Sequence, residues 1–177
     1  LDMGGTTAKA TLIRNGQISL NNDYEVGAGI QGGFGTGYPL RLPVVDLVEV
    51  GTGGGSIAYL DDAGQLHVGP RSAGAAPGPA CYGRGGTEPT VTDANLLLGY
   101  LDPGFFLGGE MALDREAAAR AIGGLASALG VAPVRAAFGV HETINEDIAR
   151  AFRIHAAERG FDYRGAAVVA FGGSGPV

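Results

Sequence analysis

The sequence predicts an α/β fold, in which a mixed sheet of short strands is packed by helices and carries a long loop rich in glycine and proline. In the first half, Asn15-Gly16 separates two short apolar runs, residues 11–14 and 17–20. This is a strong hairpin signal, because both turn positions need a positive φ. In the second half, residues 114–130 and 133–160 each open on a helix-start signal and end at a glycine, with apolar residues three or four apart between them.

The composition limits the classes of function. The chain has 177 residues and a net charge of -6, which suits one domain or one domain with an inserted subdomain. Its basic residues are scattered, so nucleic acid is not an expected partner. Its apolar runs fall short of the roughly 18 residues that span a membrane, so no membrane partner is expected. A single cysteine, Cys81, excludes an internal disulfide and fits a reducing compartment, so we expect a cytoplasmic location.

The first candidate site is the turn Asp2-Met3-Gly4-Gly5-Thr6-Thr7, which follows a predicted strand. A phosphate needs backbone N–H groups that no side chain obstructs, and Gly4, Gly5, Thr6 and Thr7 supply such groups together with two hydroxyls. Lys9 adds a positive charge. Asp2 ends the strand, where its carboxylate suits a metal-bound water beside phosphates. The alternative is a plain glycine hairpin turn without a ligand.

A second glycine turn closes the chain. Residues 167–171 are predicted to form a buried strand that leads into Gly172-Gly173-Ser174-Gly175-Pro176. The order of the two turns, with a long helix before the second, resembles the actin-like ATPase (ribonuclease H-like) fold of sugar kinases, actin and heat-shock chaperones. That resemblance implies that the first turn holds phosphate and that Gly172, Gly173 and Gly175 pack on the adenosine.

The middle of the chain resembles a more specific family. Residues 68–95, which read VGPRSAGAAPGPACYGRGGTEPTVTDAN, are similar to the hydantoinase A / 5-oxoprolinase family. So are residues 2–9, 49–61, 106–109 and 169–176. The resemblance implies an actin-like lobe, the use of ATP and Mg²⁺, and ATP-dependent opening of a cyclic amide such as a hydantoin or 5-oxoproline. Phosphorylation of the amide oxygen would make the ring carbon open to attack by water.

Two other functions stay open. Ketone carboxylases of the acetone carboxylase type use related subunits and the same phosphoryl chemistry. A non-catalytic assembly module with the same fold is the third interpretation.

The resemblance also implies a larger protein. Members of the family are several times longer and carry an earlier phosphate turn, so we expect residues 1–177 to be the second nucleotide-binding lobe, inactive alone. Residues 27–110 are predicted to be a loop-rich insertion in it. The implied partners are the small cyclic amide substrate, the N-terminal lobe of the same protein and a second large subunit of the hydantoinase B type.

Three residues are candidates for catalysis. Glu49 ends an apolar run and suits a general base or metal contact, or else an exposed strand position. Arg84 lies in the long loop, where it could clamp a carboxylate or phosphate or simply bind backbone carbonyls. Asp93 could point into the cleft from a helix start, and a helix cap is the alternative, at Thr92 or Asp93.

Two further features are ambiguous in the sequence. The cluster Gly51-Thr52-Gly53-Gly54-Gly55-Ser56 is predicted to line the site as another anion nest, and a turn that only joins two strands is the alternative. Cys81 is interpreted as inert packing, because no histidine lies near it in sequence.

Overall fold

The computed structural model describes residues 1–26 and 37–177. The described chain forms two compact units, one made of Leu1–Lys9 with Glu49–Val177 and the other of Ala10–Val48. These boundaries differ from those of the predicted loop-rich insertion, 27–110, because residues 49–110 belong to the larger unit. The start of that predicted insertion, residues 27–36, lies outside the described residues.

The eleven strands of the described residues all precede the three α-helices in the chain. The strands are β1 (Asp2–Met3), β2 (Ala8–Thr11), β3 (Ile13–Arg14), β4 (Gln17–Ile18), β5 (Leu20–Asn21), β6 (Tyr24–Val26), β7 (Tyr38–Leu40), β8 (Val44–Val45), β9 (Leu47–Val50), β10 (Ser56–Leu60) and β11 (Leu66–Ser72). The helices are α1 (Val91–Leu98), α2 (Arg115–Leu129) and α3 (Pro133–Glu158).

The smaller unit is built from antiparallel strand pairs. β3 pairs with β4, β5 with β8, and β6 with β7. Asn15 and Gly16 join β3 to β4 with φ values of 51° and 76°, as the hairpin prediction requires.

One sheet has three strands, and an isolated parallel bridge adjoins its antiparallel pair. The strand order is β1-β2-β9, and β1 pairs with β2 antiparallel, with Asp2 opposite Lys9. On its other side, Asp2 forms a parallel bridge with Phe171. The prediction of a buried strand over residues 167–171 is wrong, because Val168 and Val169 are 76% and 73% exposed and only Phe171 bridges to β1.

The helices confirm the boundaries that local signals predict. Asp114 caps α2 by accepting from the Ala117 N–H, and Gly130 ends the helix in the left-handed conformation. Pro133 opens α3. The apolar faces of the helices pack on β10 and β11 in one core, whose buried members include Val68, Val91, Ile122, Leu125, Val140, Ile144 and Ile148.

No single described helix is long and apolar enough to cross a membrane. α2 and α3 meet the requirement of length and composition only when taken together across their 91° bend.

Asp93 holds the long glycine- and proline-rich loop against α1. Its buried carboxylate accepts hydrogen bonds from the N–H groups of Ala80 (3.2 Å), Cys81 (2.8 Å) and Thr90 (3.0 Å), and from the Thr90 hydroxyl (2.7 Å). Thr90 is the N-cap, and Asp93 completes a capping box with it, so neither Thr92 nor Asp93 is the cap residue. The loop is thereby ordered through the single 3-10 turn Ala80–Tyr82.

We predict that Asp93→Ala lowers the free energy of unfolding by more than about 3 kcal/mol, because it leaves three buried N–H groups without an acceptor. Asp114→Ala, which removes an exposed helix cap, is the matched control and costs about 1 kcal/mol. Urea denaturation measures both. An Asp93→Ala protein with the stability of the wild type would contradict this structural role.

Candidate functional site

The opening turn presents unused backbone donors to open space. The Gly4 N–H donates to the Thr7 carbonyl at 3.1 Å and closes the turn. Within residues 1–26 and 37–177, the N–H groups of Gly5 and Thr6 have no acceptor. A Cβ added at Gly4 or Gly5 would meet none of the described atoms within 4 Å. Free N–H groups beside open space are what an anion cradle requires.

The second glycine cluster supports this turn from behind. The Gly54 N–H donates to the Gly4 carbonyl at 3.0 Å, and the Gly55 N–H donates to the Gly5 carbonyl at 2.7 Å. The Gly53 N–H is also used, by the Ser56 hydroxyl at 2.8 Å. The prediction of a second anion nest is therefore wrong, because these donors are already bonded.

Glycine is required in this cluster by the close approach of two backbones. A Cβ on Gly53 would lie 2.5 Å from the Gly4 carbonyl oxygen and 2.7 Å from the Thr6 nitrogen. A Cβ on Gly55 would lie 2.9 Å from the Gly5 carbonyl oxygen. Any side chain here would push the opening turn out of place.

The closing turn lies beside the end of β1. The Ser174 N–H donates to the Met3 carbonyl at 2.9 Å. Gly172 has a φ of +89°, and a Cβ there would lie 2.5 Å from Asp2 Oδ1. A Cβ on Gly175 would lie 2.1 Å from the Phe171 carbonyl oxygen. Gly172 and Gly175 are thus needed for packing, whereas Gly173 faces open space and its N–H has no acceptor in the described part of the chain.

Lys9 and Glu49 form an ion pair next to the opening turn. The Lys9 ammonium lies 3.1 Å from Glu49 Oε1, and it also donates to the Thr7 hydroxyl. Both side chains are about half exposed, so the pair contributes little stability by itself. The ammonium thus contacts the turn at Thr7, and its role in binding phosphate stays a prediction. The catalytic role of Glu49 stays a prediction, and its observed partner is Lys9.

Asp2 is the acidic residue at the turn. Among residues 1–26 and 37–177, its carboxylate makes no hydrogen bond or ion pair, and no three His, Cys, Asp or Glu side chains gather as a metal site. A magnesium ion bound beside phosphates commonly takes only one or two protein carboxylates and keeps several waters. The unpaired carboxylate of Asp2 fits that role.

A cavity of about 290 Å³ opens beside the two glycine turns. One end is formed by Gly5, Gly173 and Ser174. The remaining walls combine polar residues with apolar ones: Tyr82, Arg84, Thr92, Asn95, Leu101, Phe106, Leu107 and Met111 are among them.

Of the three predicted catalytic residues, only Arg84 lines this cavity. Its Nη2 lies 3.9 Å from the sulfur of Met111, and the side chain is exposed. Asp93 lies behind the wall, where its buried carboxylate is bonded as the capping-box partner of the N-cap Thr90. Its catalytic assignment therefore gains no geometric support.

Two groups near Asp93 keep their protons. Burial, with the nearby Asp93 carboxylate, raises the pKa of the Cys81 thiol, so this cysteine stays protonated and fits the inert packing that the sequence suggests. Burial also raises the pKa of the Tyr82 phenol. Tyr82 therefore keeps an O–H donor on the cavity wall at neutral pH.

Asn95, Tyr82 and Phe106 line the cavity but are missed as site residues in the sequence. The available signal was a polar residue, Asn95, on the inner face of a short helix inside the family-like block. Asn95 is bonded in turn to His141, whose Nδ1 lies 3.0 Å from Asn95 Oδ1.

We predict that Gly53→Ala lowers the free energy of unfolding by about 1–3 kcal/mol, because the added methyl group overlaps the backbone of the opening turn. Gly51→Ala is the matched control, since its Cβ would lie 3.6 Å from the nearest atom, an ordinary contact. Chemical denaturation compares the two. Equal stability of both variants would show that Gly53 does not support the turn.

Comparison with known proteins places the chain among enzymes. It is 45% identical to the caprolactamase subunit alpha of Pseudomonas jessenii, over 98% of this chain and 24% of that protein. It is 32% identical to the 5-oxoprolinase of Dictyostelium discoideum, over 98% of this chain and 14% of that protein. The chain thus spans about a quarter or less of the length of these relatives.

Solved structures agree with the sequence comparison. The crystal structure of the ATP-dependent caprolactamase from Pseudomonas jessenii matches 92% of this chain with 22% of its own, at a TM-score of 0.75 and 46% identity. The nucleotide-free structure of acetone carboxylase, from work on ATP-dependent acetone carboxylation, matches 90% of this chain with 22% of its own, at a TM-score of 0.77 and 33% identity. The sequence model of the family described as hydantoinase/oxoprolinase matches residues 1–177. The resemblance noted in residues 68–95 is confirmed, and the chain belongs to the hydantoinase/oxoprolinase family.

Proposed function

We propose that the chain is a nucleotide-binding lobe of an ATP-dependent enzyme that hydrolyses a cyclic amide of the hydantoin or 5-oxoproline type. The observation that carries this proposal is the opening turn. Among residues 1–26 and 37–177 the N–H groups of Gly5 and Thr6 have no acceptor and open space lies beside Gly4 and Gly5, while Gly54 and Gly55 fix the turn from behind. Donors held in place before a phosphate arrives need no rearrangement when charge develops on it.

The relatives support the use of ATP. Both the caprolactamase and the acetone carboxylase of known structure are described as ATP-dependent, and each shares the fold of this chain. Caprolactamase and 5-oxoprolinase act on cyclic amides, as their names say. The similarity to caprolactamase and 5-oxoprolinase is our reason for proposing amide hydrolysis before carboxylation.

Each residue of the site takes a defined role in this proposal. Gly4, Gly5, Thr6 and Thr7 bind phosphate oxygens, and Lys9 contributes a positive charge that Glu49 partly neutralises. In an actin-like lobe the closing turn packs on the adenosine. Gly173 is the member best suited to contact it, because Gly172 and Gly175 serve the turn itself.

Asp2 would hold Mg²⁺ through water. The ion supplies charge neutralisation at the phosphates. Asp2 suits this role because its carboxylate is unpaired within the described residues and lies against Gly172 of the closing turn.

The proposed reaction begins at the phosphate turn. Transfer of the γ-phosphoryl group from ATP to the amide oxygen would release ADP and make the ring carbon electrophilic. Water would add to that carbon, the C–N bond would break with a proton going to the nitrogen, and hydrolysis of the resulting acyl phosphate would release phosphate. Arg84 lines the cavity next to the phosphate turn, where a guanidinium could bind a developing anion. Glu49 remains the proposed base, and its pairing with Lys9 means that it must exchange partners to act.

Ketone carboxylation is the second candidate. The chain is 34% identical to the acetone carboxylase beta subunit of Xanthobacter autotrophicus over 99% of its length. Assays of the full-length protein with hydantoin, 5-oxoproline, caprolactam, and acetone plus bicarbonate distinguish the two reactions. ATP hydrolysis that none of these compounds stimulates would favour a non-catalytic assembly role.

The proposed partners are the remainder of a longer protein and a second large subunit. The names of the relatives support this, since caprolactamase and acetone carboxylase are each divided into lettered subunits. We further propose a cytoplasmic location and no activity for the lobe alone, because ATP would need the second phosphate turn of another lobe.

We predict that Gly5→Val in the full-length protein abolishes ATP-dependent turnover and weakens ATP binding at least about tenfold. A Cβ at this position meets none of the described atoms within 4 Å, so the new side chain starts in open space and enters the proposed phosphate space. Calorimetry with a non-hydrolysable ATP analogue measures the binding.

The matched control is Gly124→Val on the exposed face of α2, where a Cβ also meets open space. It should leave ATP affinity unchanged. Unaltered ATP affinity in Gly5→Val would rule out the opening turn as the phosphate site.

A further inference from the structure

Asn95 has a donor group that the protein leaves unused. The residue is only 4% exposed and lies on α1, where it lines the cavity beside Gly5. Its Oδ1 lies 3.0 Å from Nδ1 of His141. Among residues 1–26 and 37–177, its Nδ2 amide group has no hydrogen-bond acceptor, and this group keeps some solvent-accessible surface. The amide group therefore faces the cavity.

His141 and Asn145 fix the orientation of this amide. The Asn145 Nδ2 group lies 2.9 Å from Nε2 of His141 and can only donate, so Nε2 accepts. The imidazole proton then sits on Nδ1 and is donated to Asn95 Oδ1. The ring of Tyr100 packs at 4.9 Å from the His141 ring. With its oxygen held in this way, Asn95 can only turn its NH₂ group towards the cavity.

A ligand that fills the cavity without an acceptor would displace water from this NH₂ group, at a cost of about 1–3 kcal/mol. A ligand that brings an acceptor oxygen offsets that cost on binding. The cavity volume of about 290 Å³ is close to the lower limit of ligand sites, about 300 Å³, so the cavity suits a small molecule. Its walls at Leu101, Phe106 and Met111 suit a hydrocarbon ring or chain.

We propose that Asn95 is the residue that binds the carbonyl oxygen of the small amide or ketone substrate, and that His141 is a positioning residue that acts through it. This inference rests on the proposed function, since it places the substrate next to Gly5 and the phosphates. A hydrogen bond to one lone pair of the oxygen leaves the other lone pair for the incoming phosphoryl group. The same contact rejects analogues that lack the oxygen, because the amide would then stay unpaired.

The direct test is Asn95→Asp in the full-length protein. Aspartate keeps the shape and the oxygen that faces His141, but it replaces the cavity donor with an acceptor. Hydantoin, 5-oxoproline, caprolactam and acetone are the probes, each titrated alone by ligand-observed NMR. We expect the probe that binds the wild type to bind the variant at least about tenfold more weakly. The affinity for a non-hydrolysable ATP analogue should change by less than about twofold.

His141→Phe tests the positioning role. Phenylalanine keeps a ring against Tyr100 but cannot donate to Asn95. We expect a smaller loss of probe affinity, and the double variant with Asn95→Asp should bind no more weakly than Asn95→Asp alone. Thr143→Val is the control on the same helix, since its hydroxyl bonds only to the Gly139 carbonyl. Independent, additive losses in the double variant would refute the coupling of His141 to Asn95.

Three results would overturn the inference. The first is that the wild type binds none of the four probes. The second is that the wild type and Asn95→Asp bind a probe equally well. The third is that Asn95→Asp loses affinity only for the ATP analogue, which would mean that Asn95 contacts the nucleotide. A wild type that binds a probe through Asn95 but shows no probe-dependent ATP hydrolysis would refute the proposed function and leave the substrate contact intact.

Discussion

Two backbone hydrogen bonds organise the candidate site. The N–H groups of Gly54 and Gly55 bind the carbonyls of Gly4 and Gly5, and this pairing holds the opening turn, in which the N–H groups of Gly5 and Thr6 have no acceptor among the described residues. The backbones can approach so closely only because Gly53 and Gly55 lack a Cβ. The glycines at these two positions are thus explained by contacts between backbones.

Buried polar side chains complete the site on its other walls. Asp93 ties the loop that carries Arg84 to the start of α1, so the loop is held without regular secondary structure. Two residues further along the same helix, Asn95 is oriented by His141 of α3. A single short helix therefore connects the ordered loop, the cavity wall and the longest helix. This explains how a glycine-rich chain can keep a defined cavity.

Much of the fold was predictable because its signals are local. The Asn15-Gly16 hairpin, the end of α2 at Gly130 and the start of α3 at Pro133 each depend on a few neighbouring residues. The two glycine turns were also recognisable. The roles of Gly54, Asp93 and Asn95 were not, because each depends on a partner 12 to 50 residues away. The apolar character of residues 167–171 predicted burial, but Val168 and Val169 are exposed, since burial depends on what packs against a segment.

The most direct measurement is hydrogen–deuterium exchange of the full-length protein with and without a non-hydrolysable ATP analogue and Mg²⁺. The account predicts slower exchange in peptides that contain Gly5, Thr6 and Gly173, whose N–H groups are free within the described structure. Peptides that contain Gly54 and Gly55 should change little, because those N–H groups are already bonded. Unchanged exchange at Gly5 and Thr6 on saturation with nucleotide would contradict the assignment of the opening turn as the phosphate site.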